Sequence, residues 1–167
     1  MRSGLSLGPG IREDARGRQA FLPGALGSVL LAWLPPYMDR RNIWTIDGDA
    51  ARWIGLVLLV AGGVLRVWPM FTLGRRFSPF VAIQQGHELV TDGVYRYLRH
   101  PSYLGGLVAL VGWVLVFRSS VGLLLAVGGL QLTLARIGTE EELLASEFPQ
   151  AWAEYCRHSW RLVPGVY

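Results

Sequence analysis

Apolar residues in this chain fall into four long runs separated by polar links of very unequal length. The first, residues 21–38, ends in Leu34-Pro35-Pro36-Tyr37, where paired prolines are expected to end or kink a helix. The second, 50–71, is bracketed by Trp53 and Trp68, residues suited to a membrane–water boundary. The third, 102–117, and the fourth, 121–136, are separated only by Arg118-Ser119-Ser120, which predicts an antiparallel helical hairpin. Each run comes close to the length needed to cross a hydrocarbon core. Small residues serve close helix packing, so Gly62 and Gly63 mark one packing surface. Gly105, Gly106, Gly112, Gly122, Gly128 and Gly129 mark another, assigned to the hairpin.

The polar excursion 72–101 is the longest, and within it Val81-Ala82-Ile83 and Leu89-Val90-Thr91 read as short extended pieces. The tail, 137–167, begins with a polar helix over GTEEELLASE and breaks at Phe148-Pro149. Pro149 then opens a last helix with Leu144, Phe148, Trp152 and Tyr155 on one apolar face. That face is expected to lie on the membrane or on the loop before the third run. The predicted fold class is an all-α integral membrane protein, one domain with four transmembrane helices, a long loop and C-terminal helices.

Composition sharpens this. With 51% hydrophobic and 17% charged residues and a mean hydropathy of +0.33, the chain is too apolar for an ordinary soluble domain. All sixteen basic residues are arginine, and they are scattered between apolar runs rather than gathered in a stripe for nucleic acid. With the N-terminus inside, eleven arginines fall in inside segments and four (Arg40, Arg41, Arg52, Arg118) outside, Arg66 lying within a run. This imbalance predicts a cytoplasmic N-terminus, loop and tail. Residues 1–19 are polar and Gly-rich. The apolar run that follows them lacks a signal-peptide cleavage pattern and is retained as the first span. Cys156 is the single cysteine, so neither an internal disulfide nor a multi-cysteine metal site is possible, and it reads as a small interfacial residue. The composition, rich in Arg, Gly and Leu and without Lys, is of a bacterial kind, and the expected location is a bacterial inner membrane.

Chemistry gathers in GVYRYLRHPSYLGG, residues 93–106. Arg96, Tyr97 and Arg99 suit a headgroup layer as well as they suit a ligand. Pro101 can open a helix at its first position, leaving N–H groups beside His100 and Tyr103 for an anion. Arg136 and Glu140 are four apart and share a helix face. They are either a solvated charge cluster or a divided site, with a carboxylate for a cation and a guanidinium fork for an anion. There is no Gly-rich phosphate loop, no metal ligand set and no nucleophile with an adjacent base.

The runs LGRRF (73–77), HELVTDGVYRYLRHPSYLGG (87–106) and RIGTEEELLASEF (136–148), with Tyr155 and Arg161-Leu162-Val163-Pro164, resemble the isoprenylcysteine carboxyl methyltransferase family. The resemblance implies an integral membrane methyltransferase using S-adenosylmethionine and acting on a prenylcysteine-like or other lipophilic acceptor. It implies that His87, Glu88, Leu89, Val90, Tyr95, His100, Pro101, Ser102, Tyr103 and Glu140 line the cofactor pocket, with the loop 72–101 contributing from the cytoplasmic side. Arg136 takes the substrate-facing position, and no metal is expected. Two other acceptor classes, thiols and phospholipids, keep the same cofactor. A sterol or isoprenoid reductase would need a nicotinamide dinucleotide, and a non-catalytic scaffold would need neither.

Overall fold

The computed structural model describes residues 15–73 and 89–166. Among these residues the regular elements are all helices: α1 (Ala15–Arg41), α2 (Ala50–Leu73), a 3₁₀ turn (Gly93–Arg96), α3 (Pro101–Val116), α4 (Ser120–Glu147) and α5 (Pro149–His158). Leu89-Val90-Thr91 carries no strand, and the expected piece 81–83 lies outside the described residues.

The paired prolines do not end the first helix. α1 continues through Pro35 and Pro36 to Arg41, and Pro35 is fully buried. An ideal Cβ on Gly122 of α4 would lie 3.3 Å from the Pro35 ring, so this proline is a packing contact of α1 on α4. Trp113 of α3 donates its indole N–H to the Leu31 carbonyl of α1 at 2.9 Å.

The closest helix pair is α2 with α3, not the expected hairpin. Gly55 faces Gly112 and Gly62 faces Gly105, each pair in antiparallel register. An ideal Cβ at Gly62 would stand 2.3 Å from the Ala109 nitrogen, and one at Gly105 would stand 2.4 Å from the Arg66 nitrogen. The two backbones therefore touch where only hydrogen fits. Gly105 and Gly112 serve this pair, while Gly122 and Gly129 serve α3 against α4 as expected. Gly63 and Gly128 meet nothing within 4 Å. Sequence adjacency favoured the hairpin, but the seven-residue spacing places each glycine pair on one helix face two turns apart.

At one end of the bundle the α1–α2 link pairs with the α3–α4 turn. Ile46 N–H donates to the Arg118 carbonyl at 2.7 Å, and Ser120 N–H donates to the Trp44 carbonyl at 3.1 Å. Asp39 closes this end, its carboxylate taking Arg52 at 3.0 Å and Arg118 at 3.1 Å. Ser119 caps α4 by accepting the Gly122 N–H at 3.0 Å.

Two described helices, Ala50–Pro69 and Ser120–Glu147, are long and apolar enough to cross a membrane by length and composition. In each, 11% of the apolar window is buried, whereas a core helix of a soluble protein would have most of it covered. Trp53, Val57, Val64 and Trp68 on α2, and Leu124 and Val127 on α4, face outward. α3 is apolar but only 16 residues long. At the opposite end from Asp39, α4 runs past its apolar part, and Leu98, Ile137, Trp152, Tyr155 and Leu162 form a small buried core. α5 turns Trp152 and Tyr155 into that core, against the segment before α3, so its apolar face lies on the chain rather than outward.

Candidate functional site

The candidate site is assembled where α3 begins. Gly93, at φ +61°, lets the chain turn into the 3₁₀ segment. Leu98 then pairs in parallel with Trp160. Trp160 N–H donates to the Tyr97 carbonyl and Arg99 N–H to the Trp160 carbonyl, both at 2.8 Å. This bridge lays the C-terminal segment beside residues 97–99 and fixes the approach to α3. His100 occupies the N-cap position and Pro101, fully buried, opens the helix. No side chain caps α3, so the N–H groups of Ser102 and Tyr103 are not taken by a cap.

Two polar rows cross from α3 to α4. In the first, Arg136 Nε donates to the Tyr103 hydroxyl at 2.9 Å, and that hydroxyl donates to Glu140 Oε2 at 2.9 Å. In the second, Glu141 takes three partners. Its Oε1 meets His100 Nε2 at 3.1 Å and Arg99 Nε at 3.3 Å, and its Oε2 forms an ion pair with Arg161 Nε at 2.8 Å. Successive helical residues point about 100° apart, so adjacent glutamates address different partners on α3. Arg99 is further held by the Ser159 carbonyl at 2.5 Å, and Tyr155 donates its hydroxyl to the Tyr95 carbonyl at 2.7 Å.

Electrostatics follow from this packing. Glu141 lies beyond the apolar run of α4, and its partial burial opposes ionisation. The hydrogen bond that it accepts from His100, with the guanidiniums of Arg161 and Arg99, outweighs that and holds its carboxyl below the ordinary value. Burial raises Tyr95 first and the Glu140 charge raises it further. Burial likewise raises Tyr155 despite the opposing charge of Arg99. Both phenols therefore remain neutral. Burial also raises the Cys156 thiol, against Arg99, which argues against a thiolate nucleophile there.

The Glu141 shift sets a sign. A carboxyl depressed on folding stabilises the protein above its ordinary value of 4.5, and this contribution is lost as pH falls through the lower folded value. The thermal midpoint in detergent is expected to fall below pH 4.5 in the wild type. It should fall less steeply in Glu141→Gln, measured by scanning calorimetry from neutral to acid pH.

Of the residues expected around a cofactor, the structure brings His100, Pro101, Tyr103 and Glu140 together with Arg136. Tyr95 accepts the Tyr155 hydroxyl at its backbone carbonyl, and Leu89 and Val90 are half-buried in the approach to α3. Ser102 turns to α2, donating its hydroxyl to the Arg66 carbonyl at 3.0 Å. His87 and Glu88 lie outside the described residues. A cleft of about 350 Å³ is lined by Arg99 and residues 156–161, and not by Tyr95, Tyr103, Arg136 or Glu140. Among the described residues no group of three His, Cys, Asp or Glu could hold a metal. Glu141 is not among the residues expected from the sequence, and nothing in the sequence assigns Arg99, Ser159 and Arg161 a shared task. The run of three glutamates one to two turns after Arg136 was the available signal.

The profile of the isoprenylcysteine carboxyl methyltransferase family matches residues 53–146, which include both rows except for Arg161. The chain belongs to this family. It is 30% identical over 135 residues to protein-S-isoprenylcysteine O-methyltransferase of Dictyostelium discoideum, covering 79% of this chain and 54% of that protein. Against protein-S-isoprenylcysteine O-methyltransferase B of Arabidopsis thaliana it is 34% identical, covering 67% of this chain and 58% of that protein. The chain thus spans little more than half the length of these relatives. Its fold is similar to that of a eukaryotic intramembrane Ras methyltransferase, isoprenylcysteine carboxyl methyltransferase, with a TM-score of 0.65 at 24% identity, covering 92% of this chain and 55% of that one. Family membership and the outward apolar faces of α2 and α4 together make the chain an integral membrane protein.

Proposed function

We propose that this isoprenylcysteine carboxyl methyltransferase family member is an S-adenosylmethionine-dependent enzyme that methylates the carboxylate of a prenylcysteine-like or other lipophilic acceptor at the membrane interface. The observation that carries the reading is the row Arg136–Tyr103–Glu140, which holds a guanidinium and a carboxylate on either side of one phenol. The residues fit the cofactor. Glu140 spends Oε2 on Tyr103, and its Oε1 has no hydrogen-bond donor among the described residues, which suits an ammonium group. The uncapped start of α3 suits a carboxylate, and the half-buried rings of Tyr95 and Tyr103 suit a sulfonium or an adenine.

When bound, S-adenosylmethionine supplies an electrophilic methyl group. The chain's own task is then positional. An acceptor carboxylate is ionised at neutral pH, so no general base is required. Arg136, exposed at the inner end of the apolar part of α4, orients that carboxylate through its planar fork. Tyr103 fixes Arg136 by accepting from its Nε and fixes Glu140 by donating to it. Such alignment is where most of the rate advantage of a displacement reaction lies. The four spans, about 21–38, 50–71, 102–117 and 121–136, form one domain with both termini and the site on the cytoplasmic face of a bacterial inner membrane.

Calorimetry with S-adenosylhomocysteine in detergent tests the assignment. The wild type is expected to bind, and His100→Asn and Glu140→Gln are each expected to bind about tenfold more weakly or worse. Absence of binding, or equal binding by all three, would remove the cofactor assignment. Transfer of a radiolabelled methyl group to a prenylcysteine analogue, in preference to phospholipids and small thiols, identifies the acceptor class.

A further inference from the structure

Of the second row, centred on Glu141, the reading above uses only His100. Its carboxylate joins three separate segments: Arg99 and His100 before α3, α4 itself, and Arg161 in the C-terminal segment. His100 is 4% exposed, and among the described residues its imidazole has one hydrogen-bond partner, Glu141. Tyr103 lies against the ring at 5.7 Å between centroids. The charged and titratable groups gathered here are Arg99, Glu141, Arg161 and, through Tyr103, Glu140.

We propose that Glu141 is a positioning residue, which fixes the tautomer and orientation of the His100 ring and pins the C-terminal segment against the start of α3. This rests on the reading of that start as the cofactor-binding corner. An ionised carboxylate can only accept, so the shared proton belongs to His100 Nε2, and Nδ1 is the nitrogen left to face other partners. Without Glu141 a buried imidazole would lose its acceptor, and either tautomer or another ring orientation would become accessible. Arg99 and Arg161 would at the same time lose the charge that draws them together. Arg99 retains its bonds to the Ser159 and Cys156 carbonyls, so the segment would be loosened rather than released.

The test uses the full chain in detergent with ¹⁵N-labelled histidine. His100 is distinguished from His87 and His158 by the signal missing in His100→Asn. In the wild type the His100 ring is expected to report the Nε2–H tautomer. In Glu141→Leu that signature is expected to be lost or averaged, with S-adenosylhomocysteine affinity reduced about tenfold or more. Glutamine keeps an acceptor oxygen, so Glu141→Gln is expected to retain the tautomer and to bind within about threefold of the wild type. An unchanged ring signature and affinity in Glu141→Leu would overturn the proposal. So would a Glu141→Gln variant that keeps the tautomer yet loses as much affinity as Glu141→Leu, because charge rather than ring placement would then matter. If Glu141→Leu does not fold, the glutamine variant alone decides, on ring signature and affinity together. Failure of the wild type to bind S-adenosylhomocysteine would instead remove the cofactor reading, and the ring signatures of wild type and variants would still report on Glu141.

Discussion

Arg136→Ala is expected to lower the rate of methyl transfer by roughly a hundredfold or more, as misplacement of a reacting group by about 1 Å can do. S-adenosylhomocysteine affinity is expected to stay within about threefold, because Glu140 and the start of α3 are left in place. The split follows from the geometry. Among the described residues Arg136 meets the cofactor side through the Tyr103 hydroxyl, and that hydroxyl keeps Glu140 as its acceptor when the guanidinium is removed. Arg136→Lys should rescue little, since an ammonium has the charge but not the planar pair of donors that aligns a carboxylate. Tyr103→Phe should affect both quantities, because it removes the group that holds Arg136 and Glu140 in one line. Single-turnover methylation of a prenylcysteine analogue, run beside calorimetry on the same preparations, separates the outcomes. A parallel loss of affinity and rate in Arg136→Ala would place Arg136 on the cofactor and remove it from the acceptor.

Which parts of this arrangement a reader of the sequence can foresee depends on how local their causes are. Pro101 and Pro149 each open a helix as expected, because a fixed φ and a missing N–H act within one turn. The four-residue spacing of Arg136 and Glu140 likewise puts them on one face without any tertiary information. The choice between Glu140 and Glu141 is different in kind. Both are carboxylates on the same turn, and only the placement of α3 decides that one meets Tyr103 and the other His100. The C-terminal segment is subtler still. Its backbone, through Ser159 and Trp160, carries the contacts to Arg99, and backbone contacts leave no residue-type signature. Pro35-Pro36 misled for the opposite reason. Proline removes donors and disfavours a helix locally, yet here its ring fills the space against Gly122, and packing overrides the local preference.

The α2–α3 pair leads to the second expected result: Gly62→Ala and Gly105→Ala, like Gly112→Ala where the added carbon would stand 2.3 Å from the Leu59 nitrogen, should each destabilise the chain strongly. The added carbon has no room. It would stand 2.3 Å from backbone nitrogen at Gly62 and 2.4 Å at Gly105, and backbone in a helix cannot step aside as a side-chain tip can. The helices must separate or shear, at a cost of about 1–3 kcal/mol or more by the usual penalty for overpacking. For a chain of this size that corresponds to a drop of several degrees in thermal midpoint, at roughly 2–4 °C per kcal/mol. Because the two glycines face each other, the double variant should lose less than the sum: once the first methyl has parted the helices, the second meets space. Gly63→Ala and Gly128→Ala are the controls. An added Cβ at either would meet nothing within 4 Å beyond its own helix backbone, and alanine in a helix interior is worth about 0.5–1 kcal/mol over glycine, so these variants should be neutral or slightly more stable. The separation should also reach the candidate site. Arg66 of α2 and Ser102 of α3 exchange backbone and side-chain bonds two residues from His100. Gly105→Ala should therefore weaken S-adenosylhomocysteine binding, whereas Gly63→Ala should not. Equal thermal midpoints for Gly62→Ala and Gly63→Ala in detergent would mean that the α2 and α3 backbones are not in contact, and the registration of α3 against α2 would have to be redrawn.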